Sequence, residues 1–167
     1  HTDNRRQRQM CIRDRYKNDL NLGVIEPAPA DEDNEWCHRE VYVAKSSGKP
    51  RRCIDYKPGL NRWVKRDAYA TESPFHVVKR IPGNTWKTVT DAWNGYHLIP
   101  LHPDSKKFTT FISMEGQFRY TRCPQGASFS GDAYNRRHAN ITAEVPRKET
   151  VVDDTCLYDD SKDCLLY

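Results

Sequence analysis

TVTDAWNGYHLIP, from Thr88 to Pro100, ends a β-prone run of Thr and Val on an acid, Asp91, and sets an aromatic, Tyr96, five residues further on. Near the far end, VVDDTCLY (151–158) sets two adjacent acids, Asp153 and Asp154, between apolar flanks, as a hairpin needs. One acid at a strand end facing an acid pair on a hairpin suits two divalent cations at a phosphoryl-transfer centre. Hard cations take carboxylate oxygens, and Mg²⁺ keeps water and substrate phosphates as its other ligands. A second acid pair, Asp159-Asp160, competes for the role. It runs into Ser161-Lys162-Asp163, too polar to form a returning strand, so Asp153-Asp154 is preferred.

The rest of the composition is compatible with that centre. The chain has 167 residues, enough for one core-bearing domain or a piece of one. Hydrophobic residues make up 37% and charged residues 30%, and nine Tyr, five Phe and four Trp argue against disorder. The net charge of +4 allows a polyanionic partner without requiring one. No apolar run approaches the ~20 residues of a membrane helix, and the charged N-terminus does not read as a signal peptide. The six cysteines have no metal-ligand spacing and are read as reduced thiols of an intracellular protein.

The two ends share a property at the DNA level. MCIRDR (10–15) can be encoded ATG TGT ATA AGA GAC AGA, and the complementary strand, in a shifted frame, contains TGT CTC TTA TAC, which encodes CLLY (164–167). One oligonucleotide in two orientations accounts for both. It resembles the transposase end sequence used as a sequencing adapter. Residues 1–15 and 164–167 are therefore read as adapter-derived and 16–163 as the genuine segment. Source codons that do not match the oligonucleotide would refute this.

Along the chain, Tyr16–Gly23 predicts a short helix stopped by glycine, and residues 26–35 a loop. WCHREVYVAK (36–45) and RRCIDY (51–56) predict a hairpin with Lys45, Lys49, Arg51 and Arg52 around its tip. Ser73-Pro74 opens a helix with proline at its first position. Residues 85–90 form a strand ending at Asp91, and 108–112 with 117–122 form a second hairpin. A helix spans 127–142, and 151–158 form the last hairpin. The order is an α+β pattern.

That order of motifs resembles the fingers and palm of a reverse transcriptase of the gypsy-like, long-terminal-repeat retrotransposon kind. RRCIDYKPGLN (51–61) is similar to the family's R-x-C-V-D-Y-x-x-L-N block, with one extra residue near Gly59. TVTDAWNGYHLIPL (88–101) is similar to D-x-x-x-G-Y-H-x-I, FTTFISMEGQFRYTRCPQG (108–126) to the T-A-F…F…P-Q/F-G run, and VVDDTCLY to Y-x-D-D-I-L-V-F. The helix after 126 occupies the next block. Two departures stand out. Val151 replaces the usual Tyr, which bears on template handling, and SFSGDAYNRR (128–137) replaces N-A-P-x-x-F.

The resemblance implies an α+β right-hand polymerase, with residues 16–83 mainly fingers and 84–163 mainly palm, interrupted by a fingers excursion near 105–126. The family's thumb and RNase H segments would belong to the rest of the parent polyprotein. It implies catalytic, metal-binding roles for Asp91, Asp153 and Asp154 with two Mg²⁺ ions (Mn²⁺ as substitute). It implies nucleotide contacts by Lys49, Arg51, Asn94, Gly95, Tyr96 and Gln125, with Tyr96 excluding a 2′-hydroxyl. The partners would be an RNA or DNA template-primer and deoxynucleoside triphosphates, with no membrane, in a cytoplasmic retroelement particle. Two other readings stay open: a non-catalytic nucleic-acid-binding remnant, and a viral RNA-dependent RNA polymerase palm, which ordinarily lacks the aromatic gate.

Overall fold

The computed structural model describes residues 2–30, 35–44 and 50–165. Lys45 and Lys49, expected at the hairpin tip, lie outside them. The chain divides into two compact units: residues up to Lys65 with Tyr96–Ser130, and Arg66–Gly95 with Gly131 onward.

The first unit begins with α1 (Thr2–Asn21), which starts well before the expected Tyr16. No Gly or Pro interrupts this run, so nothing in it breaks a helix. It stops at Gly23, whose φ of +60° suits glycine, and the Gly23 N–H donates to the Leu20 carbonyl at 3.0 Å. Ile12, Tyr16 and Leu20 recur at helical spacing and pack on the core. Packing of Ile12 does not report the origin of its codon; the source DNA does.

Five strands follow in one mixed sheet: β1 (Ile25–Pro27), β2 (His38–Ala44), β3 (Pro50–Asp55), β5 (Phe111–Ser113) and β6 (Gly116–Tyr120), in the order β1-β6-β5-β2-β3. Only β2 with β5 is parallel. Tyr16, Ile25, Ile54, Tyr56, Phe111, Phe118, Tyr120 and Leu60, the first residue of the short α2 (Leu60–Trp63), form the core. The expected strand from Phe108 is corrected: Pro103–Thr109 is a 3₁₀ helix, opened by proline, and the strand starts at Phe111.

Arg52 is a second correction. Its side chain is not at a solvated tip but 5% exposed, inside the core. Its guanidinium donates to Asp19 Oδ2 at 2.7 Å and to the Tyr120 hydroxyl at 3.3 Å, and lies 4.7 Å from the centre of the Tyr16 ring. Asp19 is 2% exposed.

The second unit holds α3 (Pro74–Arg80), β4 (Trp86–Asp91), β7 (Lys148–Val151) and β8 (Asp154–Asp159), with most of α4 (Ser128–Ile141). Pro74 is the first residue of α3, as expected, and Ile81 leaves it in extended backbone. The sheet is antiparallel, in the order β4-β8-β7. Asp132 on α4 takes Arg66 in a two-pronged pair at 2.5 and 3.2 Å and the Tyr69 N–H at 3.1 Å. Among the described residues no helix is long and apolar enough to cross a membrane.

Cys37, Cys53, Cys123, Cys156 and Cys164 are free thiols, and burial pushes Cys123 up to about 11. Burial also lowers the pKa of His38 and of His97, both in the first unit. Neither ring nitrogen of His97 has a hydrogen-bond partner among the described residues. A histidine whose folded pKa is depressed binds fewer protons folded than unfolded. Its penalty is absent above the unfolded pKa, about 6.5, and grows as pH falls below it. The urea midpoint should therefore fall between pH 7.5 and pH 5.5, and His97→Phe should flatten the fall.

Candidate active site

The candidate site is built by three strands of the second unit. In β4 the alternation Thr88-Val89-Thr90 favours a strand, and its last residue, Asp91, pairs with Asp154, the first residue of β8. Asp154 also pairs with Val151, so the β7–β8 turn is Val152-Asp153. Residues directly opposite in an antiparallel pair share one face of the sheet, with Cβ atoms roughly 4.5–5.5 Å apart. Asp91, Asp154 and Val151 therefore form one cross-strand row.

Val152 has φ +56°. A β-branched residue there is a backbone outlier, disfavoured by roughly 1–2 kcal/mol. The strain sits next to Asp153, and strained backbone of this kind clusters at functional sites.

Asp91, Asp153 and Asp154 are exposed, and among the described residues none of their carboxylates takes a hydrogen bond or an ion pair. Like charges set opposite each other across a pair of strands destabilise the pair. Oxygen-only donors at Asp91 and Asp154 fit a hard cation in chemistry and register. Among the described residues, however, no three His, Cys, Asp or Glu converge to hold one. The fit is thus a carboxylate pair needing further oxygens from water or a phosphate substrate.

The competing acids lie elsewhere. Asp159 pairs with Trp86 at the opposite end of β8, about 17 Å away at ~3.3 Å per residue. Arg147 bridges Asp159 at 3.2 Å and Asp160 at 2.9 Å. The Ser161 N–H, followed by Arg147, holds Asp159 below the usual carboxylate range. One acid pair shares a cation; the other has none among the described residues.

Asn94 (φ +53°) and Gly95 follow Asp91 in the same unit. The Gly95 N–H donates to the Ala92 carbonyl at 3.3 Å. A Cβ on Gly95 would lie 2.7 Å from Tyr134 Cε2, and Tyr134 is buried. The glycine therefore answers to packing on α4, whatever else it does. Gly95→Ala should destabilise by about 1–3 kcal/mol, the usual effect of overpacking. A thermal melt with Tyr134→Leu in the same chain should recover most of the loss.

The other expected nucleotide contacts fall in the first unit. Arg51 pairs through its backbone with Val43, and Tyr96 lies on a 3₁₀ turn, Gly95–Leu98. Gln125 is half-buried in the segment leading to α4. That segment is held by a residue whose role the sequence reading missed. Asn61 donates to the Gly126 carbonyl at 3.0 Å and accepts from the Ser128 N–H at 2.8 Å. Gly126, at φ +99°, has the Ile54 carbonyl oxygen 2.9 Å from where its Cβ would sit. The signal available was the L-N ending of the 51–61 block.

No protein-family model matches the chain. The Pro-Pol polyprotein of simian foamy virus type 1 is 28% identical over 136 residues, 80% of this chain and 12% of that protein. The transposon Tf2-7 polyprotein of Schizosaccharomyces pombe is 30% identical over 111 residues, 66% of this chain and 8% of that protein. The chain is a relative of retroviral and retrotransposon polyproteins. This retroelement relative spans only a small share of those proteins. Its fold is found within the prototype foamy virus protease-reverse transcriptase, with a TM-score of 0.82 at 24% identity over 96% of this chain and 21% of that one. A foamy viral protease-reverse transcriptase in complex with dsDNA gives 0.82 at 21% identity, over 95% and 32% of the two chains.

Proposed function

We propose that this chain is the fingers and part of the palm of an RNA-directed DNA polymerase of a gypsy-like retroelement. The reaction of the whole enzyme adds a deoxynucleotide to a primer 3′-hydroxyl and releases pyrophosphate. The observation that carries the reading is the pair Asp91 and Asp154, set opposite each other, their carboxylates without partners among the described residues, beside the strained turn at Val152-Asp153. Such an arrangement is unfavourable in the bare protein and useful where cations arrive with the substrate. Kinship to retroelement polyproteins supports it.

Asp91, Asp153 and Asp154 would hold Mg²⁺, which when bound supplies Lewis-acid polarisation of hydroxyl and phosphate oxygens. The chain's own groups then bind and select. Lys49 and Arg51 suit triphosphate oxygens, Arg by a two-pronged grip and Lys as a point charge. Asn94 and Gly95 border the acids in sequence, and Gln125 takes the role of contacting the nucleotide. The Tyr96 ring would exclude a 2′-hydroxyl and so select deoxynucleotides, which favours this reading over an RNA-dependent RNA polymerase. A template-primer and deoxynucleoside triphosphates are the partners, in a cytoplasmic particle.

Mn²⁺ titration of the ¹⁵N-labelled chain tests the site directly. Paramagnetic broadening should centre on Asp91, Asp153 and Asp154 at millimolar Mn²⁺ and disappear in Asp154→Asn. Broadening centred on Asp159-Asp160, or none at all, would turn the reading towards a binding-only remnant.

A further inference from the structure

Residues 57–65 of the first unit present an aromatic ring among cations that nothing neutralises. Trp63, the last residue of α2, is 78% exposed, and its indole meets no other ring or cation among the described residues. Lys57, Arg62 and Lys65 are exposed too, and among the described residues none of their side chains forms an ion pair or a hydrogen bond. No acid occurs from Tyr56 to Arg66. At the edges, Asp55 accepts the Lys57 backbone N–H at 3.1 Å. Arg66 and Asp67 belong to the second unit, where Asp132 and Arg136 pair with them.

The backbone beneath the ring is well anchored. The Asn61 N–H donates to the Tyr56 carbonyl at 3.0 Å and closes the loop that carries Lys57. The Asn61 side chain ties that loop to Gly126 and Ser128. Leu60 is buried, Val64 packs on the core, and a Cβ on Gly59 would sit 2.6 Å from His38 Cε1. Leu60 and Val64 therefore turn inward and leave Arg62 and Trp63 outside. An indole held in this way loses little freedom on binding. Its face can stack on a base, and the cations match a run of phosphates. Three features choose the partner. In a duplex each base face is covered by its neighbours, so only an unpaired strand can lay a base on Trp63. A membrane surface calls for several apolar side chains on one face, and no second large one is exposed between Tyr56 and Lys65. The exposed indoles of the second unit sit beside acids instead: Trp93 two residues after Asp91, and Trp86 opposite Asp159.

We propose that Trp63, with Lys57, Arg62 and Lys65, binds single-stranded nucleic acid without sequence preference by stacking an unpaired base. The claim goes beyond the polymerase reading and does not depend on it, since it needs neither divalent cation nor nucleotide. The test is fluorescence anisotropy of a labelled oligodeoxythymidylate of about twelve nucleotides, titrated with the full chain in EDTA at low salt. Trp63→Ala should weaken binding roughly tenfold, Trp63→Phe should keep most of it, and Trp86→Ala should leave it unchanged. Binding of a duplex of equal length should not respond to Trp63→Ala. Arg62→Gln with Lys65→Gln should flatten the slope of log affinity against log salt by roughly 0.7 for each cation removed. That variant carries the test if Trp63→Ala misfolds. The proposal is overturned by the absence of saturable oligonucleotide binding, by affinity unchanged in a folded Trp63→Ala, by equal losses on single strand and duplex, or by an unchanged salt slope in the double variant. Polyglutamate or phosphatidylserine vesicles bound as tightly as the oligonucleotide would overturn it as well.

Discussion

Arg52→Met is expected to destabilise the chain by about 3–5 kcal/mol, the usual effect of removing one partner of a buried ion pair. Asp19 is 2% exposed, and its strongest contact is the Arg52 guanidinium at 2.7 Å. Among the described residues the one remaining cation is Arg15, at 3.1 Å and half-exposed. Methionine would fill the space among Tyr16, Phe111 and Tyr120 but would leave a carboxylate stranded in a low-dielectric core. The pair as a unit contributes far less than either single change suggests, because both charges are desolvated on folding. Asp19→Leu with Arg52→Met should therefore recover part of the loss, since Glu40, 4.0 Å from Arg52 and 11% exposed, still loses its cation. Urea titration of the two single variants and the double measures it. A single-variant effect below about 1 kcal/mol would mean that water reaches Asp19.

The second large effect sets stability against activity. Asp154→Asn removes the like-charge opposition with Asp91 and should stabilise the fold by about 0.2–1 kcal/mol, the scale of a cross-strand pair. The same change should lower deoxynucleotide incorporation by about 10³-fold, since cation stabilisation of the transition state is worth several kcal/mol. Asp159→Asn should do the reverse. It removes one of the two carboxylates that hold Arg147 and leaves incorporation near the starting level. A gain in stability paired with a loss of activity marks a residue kept for chemistry rather than folding.

How much of this was legible in sequence depends on how local the cause is. Ser73-Pro74 fixed the start of α3 because proline sets its own φ and needs no partner. The strand ending at Asp91 and the strand after Asp153 were readable from β-branched runs flanking acids, but the hairpin expected over 151–158 begins earlier, at Lys148, in a polar stretch without such a run. Arg52 was misread because Arg51 and Arg52 look alike in a basic tip. Its burial depends on Asp19 from α1 and on aromatic residues from β5 and β6, none of them near in sequence. The reason for Gly95 was hidden in the same way: Tyr134 is 39 positions further along. The parallel pairing of β2 with β5 joins strands separated by a whole excursion of the chain, and alternation alone carries no partner information.

The central claim is that the Asp91–Asp154 end of the β7–β8 hairpin is a polymerase centre. Its most direct test is Mg²⁺-dependent deoxynucleotide incorporation on a primed RNA template, by the longest protein that the source DNA encodes around this chain. Wild type, Asp154→Asn and Asp159→Asn are compared, each shown to be folded. Incorporation by wild type and Asp159→Asn, lost in Asp154→Asn, is the expected result. Activity that survives Asp154→Asn and vanishes in Asp159→Asn, or no incorporation by the folded wild type, would contradict it.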